Sequence, residues 1–404
     1  MRQGNGSADP PPSAPADAIL GVLAQTSPGS QSLGLYIHVP FCTKRCHYCS
    51  FNTAPLERPA EMKRYVEAVH REVRLLAGAS WAAGVGIETI FLGGGTPSLL
   101  EPDDLAGMLE AVRGRFAVDA NAEVTVECNP ESVSREKLAA YRAAGVTRIS
   151  LGVQSLDDAI LPVLGRLHDA RGARAAFEAA REAGCDNVSV DLMYGLPDQD
   201  AATWTSSVEG VLGWGPEHLS AYGLTLDAGS LWAVTGVDGL PPDSTVVEHY
   251  WALARAAAAR GFEHYEISNY ARPGFRSRHN QVYWRAAEYL ACGPGACGFV
   301  GDARYGNVKP VARYCAMLEA GALPIDTSER LTPRQQLGER LILGLRLADG
   351  VPRSWVEARA EGDARLARAL ARWREAGLLV EHAERIALTE TGFLVSDTLF
   401  ADLV

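Results

Sequence analysis

Between Leu33 and Leu224 the sequence alternates repeatedly between short apolar strand-like runs and segments of helical spacing. Strand-like runs fall at 35–39, 87–92, 123–127, 147–151, 187–192 and 218–224. Helical spacing fills 60–76, 102–116, 134–143, 171–183 and 201–212. Alternation of this kind implies a parallel sheet with helical crossovers. The rhythm predicts an α/β fold with an incomplete (β/α)6 barrel, an open doubly wound sheet being the alternative. Both architectures place their chemistry beyond the C-terminal ends of the strands.

The flanking regions read differently. Residues 1–32 hold Pro10, Pro11, Pro12, Pro15 and Pro28 and few large apolar groups, so a disordered leader is expected there. The barrel is expected over 33–240. Residues 241–325 form an extension, with a helix at 245–260, a short strand at 264–267 and two loops rich in Gly and Pro. Residues 326–404 read as a small C-terminal domain. Helices at 333–347, 354–361 and 364–376 precede a hairpin of 377–380 with 385–388, a winged-helix-like pattern. A packing module is the plainer reading, since that topology need not bind DNA. The chain has 49 acidic against 38 basic side chains and a net charge of −11, which argues against broad phosphate-backbone binding. Nucleic acid is therefore not an expected partner.

No run approaches the ~18–20 apolar residues of a membrane-spanning helix. The best candidate, 341–347, is cut by Arg346. The run 19–24 is too short for a signal peptide, and only Arg2 precedes it as a positive charge. A cytoplasmic location is expected, where the eight cysteines stay reduced and act as ligands, nucleophiles or core residues.

The sharpest local signal is Cys42-Thr-Lys-Arg-Cys46-His-Tyr-Cys49, directly after the first strand. Three thiolates on one loop can converge on an iron–sulfur cluster. Three ligands leave one iron of a [4Fe-4S] cube open to bind and polarise another molecule. Zinc prefers four closed ligands, and no nearby Cys or His completes a zinc-finger spacing. Further polar residues fall at successive strand ends. They are the run Gly93-Gly94-Gly95-Thr96-Pro97, then Glu127, Gln154, Asp191 and Thr225, with Arg166 in the segment after the fourth strand. Singly each reads as a cap, a turn or a surface group; together they mark one rim.

The run Tyr36-Ile-His38-Val-Pro40-Phe41-Cys42…Cys46-His-Tyr48-Cys49 resembles the signature of radical S-adenosylmethionine (SAM) proteins. That resemblance implies that SAM chelates the open iron through its amino and carboxylate groups. One electron then cleaves it to a 5′-deoxyadenosyl radical. It also implies SAM contacts at Tyr36, Tyr48, Gly94, Gly95, Thr96, Glu127, Gln154, Arg166, Asp191 and Thr225. Tyr48 is expected against the adenine, and the glycine run near the SAM amino group.

Over roughly residues 33–395 the chain is similar to the oxygen-independent coproporphyrinogen III oxidase family, which holds both the decarboxylase HemN and the haem chaperone HemW. Two features point to the chaperone branch. The decarboxylases tend to carry a further cysteine two positions after the third, where this chain has Phe51. The runs Tyr265-Glu266-Ile267-Ser268-Asn269-Tyr270 and His279-Asn280-Gln-Val-Tyr283-Trp284 resemble chaperone signatures, the second as HNxxYW. The resemblance implies haem delivery to acceptor proteins such as respiratory cytochromes. It also implies an electron donor, with the cluster supporting dimerisation, electron supply or gating. His279 is then a candidate axial ligand for haem iron. Asn280 lies beside it, and Tyr283 and Trp284 are candidates to stack on the porphyrin. The bland alternative for His279 is a hydrogen-bonded structural residue, and both readings stay open here. Cys297 stands where the family often has a His, while Cys128, Cys185 and Cys315 read as structural. The alternative activity is oxidative decarboxylation of two propionates of coproporphyrinogen III to vinyls in haem biosynthesis.

Overall fold

A computed structural model describes residues 22, 23 and 26–403. The expected leader lies largely outside the described residues. Its described end differs from the expectation. Leu23 is buried and its carbonyl accepts from Trp81 Nε1 at 2.7 Å. The Gly29 and Ser30 amides donate to Glu288 at 3.0 and 2.8 Å. From Thr26 onward the segment is docked by backbone donors, a feature that composition cannot reveal.

Six parallel strands form the expected partial barrel: β1 Ser32–Val39, β2 Gly86–Gly94, β3 Ala117–Cys128, β4 Arg148–Gln154, β5 Val188–Tyr194 and β6 His218–Gly223. The crossovers between them carry α1 Pro59–Leu76, α2 Pro102–Arg113, α3 Arg135–Ala143, α4 Ile160–Leu164, α5 Ala170–Glu182 and α6 Ala201–Trp214. Local chemistry fixes several helix starts: Ser134, Asp169 and Asp200 each accept from the backbone N–H three residues on, satisfying orphan donors of the first turn. In α5, Ala173, Ala176, Phe177 and Ala180 form one buried stripe against the sheet.

Successive strand residues face opposite ways. In β1, Leu35, Ile37 and Val39 join the core beneath the helices. Tyr36 and His38 face the barrel lumen, where Tyr36 stacks near Phe91 with ring centroids 6.3 Å apart. The same alternation sends Glu127, Arg148, Ser150, Ser189, Asp191 and His218 inward. The lumen is thus lined by polar side chains while the outer face of the sheet is apolar.

The extension is more regular than its composition predicts. After α7 Leu231–Thr235 and α8 Asp243–Ala258, it contributes β7 Glu263–Glu266 and β8 Asn269–Ala271 on one edge of the sheet. The other edge gains β9 Tyr289–Cys292, β10 Cys297–Val300, β11 Ala303–Asn307 and β12 Ile325–Arg330. The result is a twelve-stranded sheet in the order β12-β11-β10-β9-β1-β2-β3-β4-β5-β6-β8-β7. The loops rich in glycine hide these strands because each strand is only four to six residues long. Between the two edges lies α9 Arg278–Trp284, and α10 Val311–Glu319 packs on α1.

The C-terminal unit has the expected helices, α11 Pro333–Gly344, α12 Arg353–Ala360 and α13 Ala364–Glu375. A Thr332/Gln335 capping box starts the first. Val351–Pro352 joins the hairpin Leu379–Glu381 and Arg385–Leu388 to make a three-stranded wing. This unit has its own core around Leu341, Leu370, Trp373 and Phe393. It docks on the extension through Ala348 N donating to the Tyr265 carbonyl at 2.9 Å and Arg346 lying 4.3 Å from the Trp284 ring.

Candidate functional site

The cysteine loop is closed at both ends by the protein's own backbone. Phe41–Cys42 pairs in parallel with Ala54–Pro55, so the chain leaves and returns at one point. The neighbouring glycine run locks onto it: Gly95 N donates to the Val39 carbonyl at 2.8 Å and Thr96 N to that of Phe41 at 2.7 Å. A Cβ on Gly95 would collide with that same backbone, and one on Gly94, at φ +111°, would strike the His38 ring. Arg45 Nη2 gathers the far side by donating to the carbonyls of Cys49 at 3.1 Å and Gly229 at 3.0 Å.

Cys42, Cys46 and Cys49 line one cup of about 370 Å³ at the C-terminal ends of the strands. Among the described residues no three Cys, His, Asp or Glu side chains close around a single ion. A multi-iron cube spreads its ligands more widely than one ion does, so it is the group that this donor set fits. Burial pushes the Cys42 thiol up to about 11 and raises that of Cys49. Cluster iron therefore has to displace protons from these thiols on binding.

The same cup brings together Tyr48, Gly94, Gly95, Thr96, Glu127, Gln154, Arg166, Asp191 and Thr225. They come from different strands and loops, yet all sit on the expected rim. Tyr36 does not line it: it is turned into the lumen, its hydroxyl hydrogen-bonded to His38 Nδ1 at 2.9 Å. Arg166 reaches across the cup, donating to the Gly152 carbonyl at 2.6 Å and Asn129 Oδ1 at 2.8 Å, with Nη1 3.6 Å from Cys46 Sγ. Gly152 is needed beneath it, because a Cβ there would press on the Gln154 amide. Gln154 itself adopts φ +67°, a left-handed conformation unusual for a residue with a side chain and typical of functional sites. Tyr48 stands beside Trp232, ring centroids 6.3 Å apart, and the two make an apolar wall.

Two carboxylates define the floor. Burial, aided by the nearby charge of Asp191, pushes the Glu127 carboxyl up to about 7. Burial also raises Asp191, against hydrogen bonds from Ser150 Oγ at 3.2 Å to each oxygen. Asn129, Ser150, Met193 and Tyr222 also line the cup and escaped the sequence reading. Asn129 lies two residues after Glu127, so the strand-end rule could have found it; the others are legible only once strand register is known.

The haem-facing expectation fares differently. His279 is 0% exposed, on α9 at the opposite end of the barrel from the cup. Its Nδ1 is bonded to Thr89 Oγ1 at 2.8 Å and its Nε2 to the Tyr283 hydroxyl at 2.9 Å. Its ring stacks on Phe91 at 5.1 Å. The amides of Arg278 and His279 donate to Glu123 at 3.0 and 2.9 Å. Both ring nitrogens are thus engaged, which corrects the picture of an available axial ligand: the structural alternative describes this conformation. Tyr283 lends its hydroxyl to that bond, and Trp284 is covered by Arg346. Asn280, partly buried, caps onto Ser277 through its amide at 3.3 Å. His279 is the buried centre of a plug, while Asn280, Tyr283 and Trp284 are partly exposed and Tyr283 also lines a separate cavity with Tyr289, Phe299 and Arg304. The second signature run joins the plug, since His218 bridges Ser189 Oγ at 2.7 Å and the Tyr265 hydroxyl at 2.8 Å. Cys297 is exposed and Cys292 fully buried, so the two do not act as a pair, while Cys128, Cys185 and Cys315 are buried.

Comparison with known proteins gives concordant matches. Residues 36–209 match the model described as the radical SAM superfamily, and residues 331–395 match the HemN C-terminal domain. A Mycobacterium tuberculosis protein named heme chaperone HemW is 39% identical over 385 residues, covering 93% of this chain and 95% of its own. The Bacillus subtilis heme chaperone HemW is 33% identical over 372 residues, covering 90% and 97%. A Bos taurus protein named radical S-adenosyl methionine domain-containing protein 1, mitochondrial, is 39% identical, with 80% of this chain and 75% of its own covered. Among solved structures, coproporphyrinogen III oxidase (HemN) from Escherichia coli superposes with a TM-score of 0.83 at 23% identity. It covers 96% of this chain and 93% of that one, and so bears on the fold alone. Among the described residues no helix is long and apolar enough to cross a membrane.

Proposed function

Because the chain belongs to the radical SAM superfamily, in the family of HemN and the heme chaperone HemW, we propose that it is a haem chaperone of the HemW kind. It binds a [4Fe-4S] cluster, SAM and haem, and hands haem to acceptor proteins. The observation that carries this reading is identity to curated chaperones along nearly their whole length. Phe51 supports it. This residue lies on the cluster loop, 63% exposed, at the position where the decarboxylase pattern continues with cysteine.

The roles of the cup residues follow from their chemistry. Cys42, Cys46 and Cys49 hold three corners of the cluster and leave one iron to SAM. When bound and reduced, the cluster supplies the electron that cleaves SAM. Arg166 places a cation beside Cys46 and offsets thiolate charge. Tyr48 offers an aromatic face to an adenine ring and is itself packed against the buried Trp232. Gln154 and Thr225 offer hydrogen bonds to ribose, and Glu127 and Asp191 face the charged end of SAM.

The test is an anaerobic assay on cluster-reconstituted protein with two arms. The first titrates haem and follows its transfer to an apo-cytochrome. The second supplies SAM, reductant and coproporphyrinogen III, and follows 5′-deoxyadenosine and porphyrin by mass. Stoichiometric haem binding and transfer, without porphyrin product, is expected. Protoporphyrinogen formed in step with 5′-deoxyadenosine would overturn the reading in favour of the decarboxylase.

A further inference from the structure

We infer that Glu127 is the counter-ion of the SAM sulfonium, and that the cup selects the sulfonium over neutral thioethers by giving up a Glu127 proton in exchange for it. The inference rests on the SAM site proposed above and adds to it the source of charge selectivity.

The argument begins with an imbalance of charge. Three carboxylates line the cup: Asp227 at its rim, within hydrogen-bond reach of Ser50 and Thr225, and Glu127 and Asp191 on its floor, where the argument lies. One cation lies behind them in the lumen: Arg148, 2% exposed, on the strand between theirs. Its charge favours the ionised forms of both acids. It is not locked to either, since its buried Nε has no hydrogen-bond partner among the described residues. The neighbouring Thr125 Oγ1, in register with it on β3, is also without one. The cations of the cup wall are placed elsewhere: Arg166 is directed to Asn129, Gly152 and Cys46, Arg45 to the carbonyls of Cys49 and Gly229, and Lys44 stands on the cysteine loop. One positive charge in the lumen thus faces two acids.

Asp191 is the better supported acid, because Ser150 donates to it and the Arg148 charge is near. Glu127 accepts one hydrogen bond, from Gly94 N at 3.0 Å. The other titratable groups that sense it are neutral at working pH. They are the phenols of Tyr36 on β1, Tyr222 on β6 and Tyr283 on α9, and the thiol of adjacent Cys128. None supplies a second cation. Burial of an acid in that position favours its protonated form, and Glu127 rises to about 7 accordingly.

SAM would bring a cation to the floor of the cup. With its amino and carboxylate groups held by a cluster on Cys42, Cys46 and Cys49, its sulfonium would remain as a positive charge to be compensated by the protein. A carboxylate facing that charge ionises, and its proton passes to solvent. S-adenosylhomocysteine has the same adenosine and amino-acid parts but a neutral sulfur, so it leaves Glu127 protonated.

Isothermal titration of cluster-loaded protein, under argon in buffers of different ionisation enthalpy, reads the exchange directly. With a Glu127 value of about 7, SAM should release about half a proton at pH 7, rising toward one at pH 6. S-adenosylhomocysteine should release none. Glu127→Gln should abolish the release and lose at least tenfold in preference for SAM over S-adenosylhomocysteine, with an unchanged cluster spectrum as the check of folding. Arg148→Lys should keep the release. Equal proton release by the two ligands, or release that persists in Glu127→Gln, would overturn the inference and leave the SAM site standing. Absence of SAM binding to the cluster-loaded protein would overturn both.

Discussion

At its C-terminal rim the barrel presents Glu127, Asp191 and Arg166 to an open cup, whereas at its other end it closes over His279 and His218. The same alternation of strand residues feeds both ends. They differ in what covers them. Loops that return on themselves ring the cup, and a helix from the extension seals the plug, its first amides capped by Glu123. Polar side chains left with room become a binding surface; those given partners become structure. The HNxxYW run has the composition of a ligand site and the geometry of a keystone.

The strongest way to break that contrast is to remove a cup ligand and a plug ligand in parallel. Cys46→Ala should abolish the iron–sulfur absorption after reconstitution and leave the fold intact by circular dichroism. A variant that retains a full cluster spectrum would remove the cup from consideration as the cluster site. His279→Ala should do the reverse. It deletes a buried ring and two hydrogen bonds, which costs about 2–4 kcal/mol of unfolding free energy, and should leave haem affinity within twofold. Lost haem binding at undiminished stability would show that the plug opens and that His279 is a ligand after all.

Acid sharpens the comparison, because the two ends respond with opposite sign. Burial lowers His279 from 6.5 to about 3 and also lowers His218. The unfolded chain therefore binds more protons than the folded one below pH 6.5. Stability from His279 is complete above that pH and falls by about 1.4 kcal/mol per pH unit as pH drops toward 3. Glu127, raised from 4.5 to about 7, contributes in the other direction. Its contribution is complete below 4.5 and is lost as pH rises through 7. Urea titrations from pH 7 to 5 separate the two: relative to the unaltered protein, Glu127→Gln should lose more stability on acidification and His279→Ala less. Variant profiles parallel to that of the unaltered protein would contradict both assignments.

A smaller effect separates docking from chemistry. Arg346→Ala should cost about 1 kcal/mol through the lost cation–π contact with Trp284, seen as a lower urea midpoint. The cluster spectrum should not change. Smallest of all, Phe51→Ser should alter stability by less than about 0.5 kcal/mol, since the exposed ring supports no core. A larger loss would show that residue 51 answers to packing and not to chemistry.

How much could be read beforehand follows the same division. The cup was legible because its residues sit directly after strands, and strand ends can be found from local periodicity. Cys42, Gly94, Glu127, Gln154 and Asp191 needed no knowledge of the rest of the chain. The direction of Tyr36 was not legible, because membership of a signature says nothing about which way a side chain turns, and here it faces the lumen with its hydroxyl on His38. His279 was ambiguous for a deeper reason: whether a ring nitrogen is free depends on Thr89, 190 positions away. Strands β9 to β12 were missed because they are short and lie among loops rich in glycine, and because β9, which joins them to the sheet, pairs with distant β1. Arg148 drew no notice, as nothing in its neighbourhood marks a cation that stands without a hydrogen bond at Nε in the middle of a barrel.

The small bridge between Phe41–Cys42 and Ala54–Pro55 bears on how the cysteines are held. Joining the ends of a flexible loop of roughly eleven residues costs on the order of 2 kcal/mol in chain entropy. Here the two short strands meet that cost themselves, so closure of the loop is a property of the barrel and not of whatever the three cysteines hold. A substitution that weakens the bridge therefore loosens the alignment of the cysteines without touching a thiol.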